Sequence, residues 1–520
     1  MSTSIEGLPD LTPDADSALM QQFWRYEAAL MANDVAALDD LFWDDEQTVR
    51  ADSVAVLLGH NAIAEFRAAR SHGAPVRTIT AVHVREISDA AAVVLAENCR
   101  PDGTRGLQTQ VWRRTPAGWK VAYAHLSAGS PRDQTVWRKV GAPLVGATGA
   151  GTLSGLTIAV KDLFAVAGER IGAGTPAHLE LAPVETEHAS AVAALLRHGA
   201  TVTGIAHTDE LAYSLGGTNP HYGTPPNPAA PGRIPGGSTS GPAVAVSGGE
   251  VDLGLGTDTA GSIRVPASYQ GIWGFRPTHG LIDTTGLLSL APSFDAVGLM
   301  ARDIDTVRLG ADILVTDGRG DADADITEIV VDPTLLAYAE PEVAQSFWSA
   351  VRTLDSSLAL RYHDVTDGRL PTWFHAFRTV QAHEAWRSHG EFLTDHPDAV
   401  ATDVAARFRI ASAVSATEAD DARAEIVRAR AHLDGVLGAG TALLLPSAAG
   451  PAPLRTEGSA ERARTATLHL TCLASLSGRP AISAPCLTAD GAPVGLSAVG
   501  AVGADHTLLR FAARHLTFHI

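Results

Sequence analysis

Three side chains of this sequence could together carry out nucleophilic catalysis: Lys161, Ser238 and Ser262. The two serines stand 24 positions apart, and each follows a glycine. A serine nucleophile needs a base and hydrogen-bond donors for the oxyanion that forms on its substrate. A G-x-S-x-G elbow followed by Asp and His is not found. Lys161 ends the apolar run LTIAVK, where burial would lower the pKa of the amine and let it act as a base. The residues therefore suggest a Lys–Ser–Ser arrangement.

Each of these residues also has an ordinary structural interpretation. Lys161 could be a surface lysine at the end of a strand. Ser238 and Ser262 could be a turn serine and the cap of a following segment. Neither alternative is excluded by one residue taken by itself.

The elements around the three residues are predicted to be core elements. The small-residue run after Pro242 predicts a buried helix, and VDLGLG (251–256) predicts a buried strand. Both serines then lie on loops at the ends of core elements, where Gly236, Gly237 and Gly261 let the backbone approach a substrate. Helices and strands alternate from residue 156 onward, which predicts a mixed, open α/β sheet.

The bulk properties limit the classes of function. The chain has 520 residues, which predicts two domains, and a net charge of −19, which argues against nonspecific nucleic-acid binding and against an anionic membrane surface. Three cysteines without metal spacing favour a reduced cytosol. No signal peptide and no apolar run of membrane-spanning length are found, so we expect a cytoplasmic protein without a membrane partner.

The N-terminal quarter predicts a small α+β domain at residues 15–128, after a disordered leader at 1–14. Asp16–Phe42 has a helical pattern with a break near Asn33, and Gly59–Arg70 predicts another helix. Four strand-like runs follow, at Arg77–Ile87, Ala91–Cys99, Leu107–Arg114 and Trp119–Leu126. Residues 129–152 are rich in Gly and Ala and predict a linker with the first edge of a second domain at 153–520.

Several helices in the second domain could cover the site. The predicted helices are 376–391, 403–416 and 418–437, and a strand hairpin and a closing helix (504–515) end the chain. Candidates to line a substrate pocket are Phe374, Gln381, Trp386 and Phe408, with ordinary helix packing as the alternative. Of these, Trp386 is predicted to bind the substrate, together with Gly236 and Gly237.

Three separated stretches resemble the amidase signature family: IAVKDLFAVAG (158–168), PGGSTSGPAVAV (235–246) and GTDTAGSIRVPASYQGIWGFRPTHG (256–280). DELAYSLGGTNPHYGTPPNPAAPGRIPGG (209–237) is most similar to the plant-type indole-acetamide-hydrolase-like branch. The resemblance implies an α/β amidase signature fold, a mixed central sheet sandwiched by helices. It also implies Ser262 as nucleophile, Ser238 as a bridging serine after a cis peptide, and Lys161 as base. No metal or cofactor is implied.

The loop before Ser262 is expected to form the oxyanion hole. The resemblance implies donors from the backbone N–H groups of Thr259, Ala260, Gly261 and Ser262. Ala260 stands where glycine is usual, and its methyl group could narrow the loop or restrict its φ. Asp258 and Arg264 flank this loop, where they could contact substrate or hold the loop in place; we favour the structural role.

The N-terminal domain resembles the NTF2-like cone-shaped fold and, more narrowly, the AtzH-like proteins. GHNAIAEFRAAR (59–70) and QTQVWRRTPAGWKVAYAHLS (108–127) carry this resemblance. Such cones hold a pocket, and Arg67, Arg70 and His125 could line it and bind a carboxylate. The alternative is a solvated helix face and a strand histidine. The domain could be a second catalytic centre, or a packing module that makes the protein a homo-oligomer.

We therefore predict an amidohydrolase that cleaves a small carboxamide to a carboxylate and ammonia or an amine. Ureido or carboxyurea-type substrates are an alternative. Two other classes remain open: a noncatalytic amidase-like scaffold, and a glutamine-dependent amidotransferase subunit.

Overall fold

The computed structural model describes residues 17–52, 55–70, 74, 76–100, 104–128, 132–315, 325–354, 356–456 and 460–518. The predicted leader, 1–14, lies outside these residues. The chain divides into two compact units. One comprises Met1–Arg132 with Val140–Ala142, and the other comprises Asp133–Lys139 with Pro143–Ile520.

In its described residues, the first unit is a small α+β domain of three helices and a six-stranded sheet. Its elements are α1 (Ala18–Ala32), α2 (Val35–Leu41), β1 (Val49–Ala51), β2 (Val56–Leu58), α3 (His60–Ala68), β3 (Thr78–Ser88), β4 (Ala91–Cys99), β5 (Arg105–Thr115) and β6 (Gly118–Ala128). The strand order is β2-β1-β6-β5-β4-β3, and β1 is parallel to β6 while the other neighbours are antiparallel.

The predicted break between the first two helices is confirmed at Asn33. This residue takes a left-handed conformation (φ +55°), which asparagine tolerates better than most residues. Asp34 then starts α2, and its side chain accepts a hydrogen bond from Ala37 N at 3.0 Å. The two helices bury one face, including Phe23 and Tyr26, in the core with Trp112 of the sheet.

The second unit contains the remaining strands and helices that the structure describes, except for Val140–Ala142 of β7, which belong to the first unit. Its strands are β7 (Trp137–Val145), β8 (Thr157–Lys161), β9 (Thr201–Ala206), β10 (Leu253–Asp258), β11 (Trp273–Arg276), β12 (Ala296–Ala301), β13 (Glu328–Val331), β14 (Ala359–Tyr362), β15 (Thr441–Pro446), β16 (Ala481–Ala489) and β17 (Ala492–Val499). Its helices are α4 (Pro176–Leu181), α5 (Ser190–Arg197), α6 (Ser240–Ser247), α7 (Arg264–Gln270), α8 (Ile304–Leu314), α9 (Pro341–Thr353), α10 (Leu370–Asp395), α11 (Thr402–Ser412), α12 (Ala416–Val436), α13 (Ala460–Ser477) and α14 (Asp505–His515).

These eleven strands form one mixed sheet, as predicted. The order is β14-β13-β15-β17-β16-β11-β12-β10-β8-β9-β7. β8 is parallel to both β9 and β10, whereas β12 is antiparallel to β10 and β11. The edge strand β7 falls inside 129–152, the range predicted as linker and domain edge.

Helices α10, α11 and α12 correspond to the three helices predicted for this region, but α13 has no predicted counterpart. From Thr467 to its end at Ser477, nearly every residue of α13 is buried. A helix buried on all sides shows no polar face, so the helical period is weak in the sequence.

Candidate active site

The sheet topology brings Lys161 and the Ser262 loop to one edge. Lys161 ends β8 and Asp258 ends β10, and these two strands are parallel neighbours. Because parallel neighbours end at the same edge of a sheet, the loop that follows β10 begins beside Lys161. Residues 96 positions apart in the chain are therefore in direct contact: the Lys161 amine and Thr257.

The Lys161 side chain is fully buried and has two hydroxyl partners. Its Nζ donates to Ser238 Oγ at 2.9 Å and to Thr257 Oγ1 at 2.8 Å. Burial lowers the pKa of Lys161 to about 7, although Asp209 and other nearby carboxylates oppose the shift. A substantial fraction of this amine is then neutral near pH 7, and a neutral amine can accept a proton from a serine.

Ser238 is held by its backbone as well as by Lys161. The Gly237–Ser238 peptide is cis. The Ser238 carbonyl accepts hydrogen bonds from Asp209 N at 3.2 Å and from Thr208 Oγ1 at 2.8 Å. These contacts leave the Ser238 hydroxyl directed at the lysine.

Gly236 and Gly237, predicted to let the backbone approach a substrate, have no room for a side chain. A Cβ on Gly236, where φ is +78°, would lie 2.8 Å from Pro266 Cα. A Cβ on Gly237 would lie 2.4 Å from the carboxylate of Asp209. Packing within the chain accounts for both glycines.

The loop that carries Ser262 is tied to a buried ion-pair network. Arg264 binds Asp258 with two parallel hydrogen bonds, Nε to Oδ2 at 3.0 Å and Nη2 to Oδ1 at 2.9 Å, and Arg276 adds a third at 3.1 Å. Burial on its own would raise the pKa of Asp258, but Arg264 and Arg276 hold it well below its usual range. This network supports the structural role expected for Asp258 and Arg264.

The Asp258 carboxylate also determines which backbone N–H groups of the loop are free to bind an oxyanion. Asp258 Oδ1 accepts a hydrogen bond from Gly261 N at 2.9 Å, so the Gly261 N–H is already used. Gly261 has φ +126°, which favours glycine, whereas Ala260 is not among the residues with positive φ. The methyl group of Ala260 therefore causes no backbone strain.

Ser262 lies in a narrow cleft of about 10 Å³. The cleft is lined by Ala212, Tyr213, Ser214, Leu215, Thr259, Ala260, Ser262, Leu290, Gln381, Arg464 and Leu468. Gln381, which was predicted to line a substrate pocket, therefore lines this cleft. Among the described residues, Trp386 does not line this cleft, because it packs against the hydrophobic core. Phe374 stacks on His469 and Phe408 packs edge-on against Tyr213, so both serve helix packing.

Sequence analysis missed Thr257, Asp209 and Arg464. Thr257 and Asp209 lie in stretches that carry the family resemblance, but their contacts with Lys161 and with the Ser238 segment depend on strand order. Arg464 lies on α13, which was not predicted.

Replacing Thr257 by valine is expected to lower kcat about 10-fold with little change in KM, because Lys161 loses one of its two hydroxyl partners. A hydrogen-bond acceptor favours the charged amine, so its loss lowers the pKa of Lys161 further. The acid limb of the pH–rate profile should then move to lower pH. Thr257→Ser, which keeps the hydroxyl, is the matched control. An unchanged profile in Thr257→Val would contradict this role.

The first unit contains a second candidate site, a cavity of about 210 Å³ lined by several arginines. Arg50 and Arg67 are buried, and the cavity is also lined by Arg70, Arg77, Arg100 and Arg105. Asp52 pairs with Arg50 at 2.9 Å, and Glu27 pairs with Arg77 at 2.8 Å. The cavity therefore has an excess of positive charge.

The buried guanidinium groups in this cavity keep unused donors. Within the described part of the chain, Nε and Nη2 of Arg67 and Nε and Nη1 of Arg50 have no hydrogen-bond partner. Burial, with Arg50 and Arg70 nearby, lowers the pKa of Arg67 despite the opposing effect of Tyr26. Of the three residues predicted for this pocket, Arg67 and Arg70 line it, whereas His125 is exposed on β6.

Two family models match the chain. The amidase model matches residues 142–367, and the AtzH-like model matches residues 12–131. "Amidase 1" of Arabidopsis thaliana is 34% identical over 389 residues, which cover 69% of this chain and 92% of the relative.

Two further similarities have different implications. A solved structure described as a crystal structure of amidase superimposes with a TM-score of 0.64 and 32% identity, and it covers 70% of this chain and 84% of its own. The pea (Pisum sativum) protein "Translocon at the outer membrane of chloroplasts 64" is 31% identical over 69% of this chain and 65% of its own. In the described part of this chain, no helix has both the length and the apolar character that a membrane span requires.

Proposed function

This chain belongs to the amidase family, and from that premise we propose that it hydrolyses a small carboxamide to a carboxylate and ammonia or an amine. The observation that carries the proposal is the buried Lys161 amine, 2.9 Å from Ser238 Oγ. A lysine without a carboxylate ion pair, in contact with a serine hydroxyl, has the chemistry of a general base.

The proposed reaction uses Lys161, Ser238 and Ser262 as a relay. Neutral Lys161 accepts the proton of Ser238, which accepts the proton of Ser262 as Ser262 Oγ forms a bond to the amide carbon. When the tetrahedral intermediate collapses, the C–N bond breaks and the relay returns a proton to the leaving nitrogen. Water then attacks the acyl-enzyme through the same relay in reverse, which releases the carboxylate and restores Ser262.

The oxyanion is proposed to bind at the loop before Ser262. Because Gly261 N already donates to Asp258, we assign the oxyanion to the N–H groups of Thr259, Ala260 and Ser262. The Thr259 side chain is held by Asp295, because the Thr259 hydroxyl donates a hydrogen bond to Asp295 Oδ1 at 2.6 Å.

The test is ammonia release from a panel of primary amides, including indole-3-acetamide, benzamide, oxamate-type amides and ureido acids. A fluorophosphonate probe followed by peptide mass spectrometry provides a readout that does not depend on the panel. Labelling at Ser262 with turnover of any amide supports the proposal. If Ser262 is labelled and no amide is cleaved, the substrate class is wrong; if neither occurs, the hydrolase proposal fails.

Three alternatives to this function differ in what supports them. The chloroplast translocon relative favours a noncatalytic scaffold, but the retained Lys161, Ser238 and Ser262 favour hydrolysis. A ureido or carboxyurea-type substrate is favoured by the AtzH-like match and is included in the panel. An amidotransferase subunit would need partner subunits and tRNA, which the acidic chain and fused cone domain argue against.

For the first unit we propose a carboxylate-binding site at the arginine-lined cavity. Malonate or oxalate should bind to the full-length protein in isothermal titration calorimetry. Arg67→Gln should weaken that binding about 10-fold or more, because it removes buried, unpartnered donors. Arg85→Gln, an exposed arginine of β3, is the control. Equal binding by both variants would reject the site.

Assembly and location are also proposals. We propose that the protein forms a homo-oligomer through its N-terminal domain, which light scattering of the full chain can test. A cytosolic location is supported by the three buried cysteines, none of which forms a disulfide with another described residue.

A further inference from the structure

Arg464 is an unexpected cation in the cleft that contains Ser262. It projects from α13, about one tenth of its side chain is exposed, and it lines the cleft together with Ser262 and Gln381. Its Nη1 pairs with Glu461 Oε1 at 3.1 Å, while its Nε has no hydrogen-bond partner among the described residues. A buried guanidinium with an unused donor in a substrate cleft indicates an anionic ligand.

Two more arginines lie near Arg464. Arg378 and Arg407 lie close enough to Arg464 that, after burial, they are the main causes that lower its pKa, to about 10. Arg407 pairs with Asp403 at 2.8 Å and with Glu461 at 3.5 Å. Arg378 and Arg407 also line a neighbouring cavity that contains Glu418, Asp421 and Glu425. Among the described residues, the carboxylates in ion pairs with Arg407 or Arg464 are Asp403 and Glu461.

Those two carboxylates are poor substitutes for a bound anion. Asp403 and Glu461 are 65% and 64% exposed, so water screens both of them. Both also form an ion pair with Arg407. The Nε of Arg464, in contrast, is shielded from solvent.

Arg464 also stands where the narrow cleft widens. Ser214, Leu215 and Arg464 line both the Ser262 cleft and an adjoining cavity of about 530 Å³. A substrate with its amide at Ser262 would extend past Leu215 toward the guanidinium. Leu215, Leu290 and Leu468 give the narrow end of the cleft an apolar wall.

We propose that Arg464 binds a carboxylate on the substrate, so that the amidase acts on small amides that carry an ionised carboxyl group at the end away from the scissile bond. This inference rests on the proposed hydrolytic function of Ser262. The simpler interpretation is that Arg464 only anchors Glu461 on its own helix. That interpretation predicts no preference between charged and neutral substrates.

The test compares amides that differ in that one charge. Malonamate, succinamate and glutaramate each have a neutral counterpart of the same shape, the corresponding diamide. In the wild type, kcat/KM should favour one of the carboxylates over its diamide. In Arg464→Gln the ratio of kcat/KM for the carboxylate to kcat/KM for its diamide should fall on the order of 100-fold, because a buried charge pair is lost. Arg464→Lys should restore part of the ratio.

Arg462→Gln is the matched control, since Arg462 is exposed on the same helix two residues away. It should keep the wild-type ratio. Turnover with no preference for the carboxylate, or a ratio that Arg464→Gln leaves unchanged, would overturn the inference while the hydrolase proposal stands.

Binding measured without turnover separates the two proposals. Calorimetry on Ser262→Ala should be done in an Arg67→Gln background, which avoids heat from binding at the arginine-lined cavity of the first unit. It should show tighter binding of the amido acid than of the diamide. Adding Arg464→Gln should remove this difference. Binding that depends on Arg464 in a protein that cleaves no amide would keep the anion subsite and reject hydrolysis. Binding that is independent of Arg464 would reject the subsite.

Discussion

Ser262→Ala is expected to reduce amide hydrolysis about 10⁴-fold or more, because the acyl-enzyme cannot form without the nucleophile. The change removes one oxygen from a residue that is 2% exposed, and in the described part of the chain the loop is held by hydrogen bonds from Gly261 N and Ile263 N to Asp258, not through the Ser262 side chain. Thermal unfolding and circular dichroism should therefore match the wild type. Steady-state ammonia release, with active-site titration by a fluorophosphonate, measures the loss.

Ser412→Ala is the control for this experiment, because Ser412 is an exposed serine at the end of α11. Ser238→Ala should also be strongly impaired but should retain slow labelling at Ser262. If Ser262→Ala kept a rate within tenfold of the wild type, Ser262 would not be the nucleophile.

Lys161→Met is expected to lower kcat by about 10² to 10⁴, the usual contribution of a general base. Methionine has a similar length and no charge to bury, so the folded state should be as stable as the wild type or more stable. Ser238 and Thr257 lose their shared partner, which confines the defect to the proton relay. Lys139→Met, at a half-exposed lysine of β7, is the control.

The pH dependence of the wild type follows from the same group. The base must be neutral, and burial lowers the pKa of Lys161 to about 7. kcat/KM should therefore rise with pH through about 7 and level off above it. The residual kcat/KM of Lys161→Met should not show this rise with pH. A wild-type rate that falls as pH rises through 7 would exclude Lys161 as the base.

Local features were predictable because they depend on neighbours in the chain. The helix break at Asn33, the buried helix α6 and the buried strand β10 follow from turn residues, small residues and apolar runs. The mixed sheet follows from alternating elements. The family and the fold class, with its cone domain, could be assigned because their motifs are contiguous.

Features that depend on packing were predicted less well. The sequence did not show that neighbouring chain segments leave no room for a side chain on Gly236 or Gly237. Trp386, predicted to bind substrate, is partly buried against the hydrophobic core and is not among the residues that line the Ser262 cleft in the described part of the chain. Helix α13 was missed because the burial of its second half, from Thr467 to Ser477, removes the polar face that marks a helix there.

The sequence by itself determined which residue types are available for catalysis: a lysine after an apolar strand and two serines that follow glycines. Only the tertiary structure decided that β8 and β10 are parallel neighbours, which gives Lys161 both Ser238 and Thr257 as partners. It also decided that Arg464, 202 positions after Ser262, lines the same cleft. The physical reason is that strand order and helix packing are set by the burial of many distant side chains together, and short sequence motifs do not record these long-range contacts.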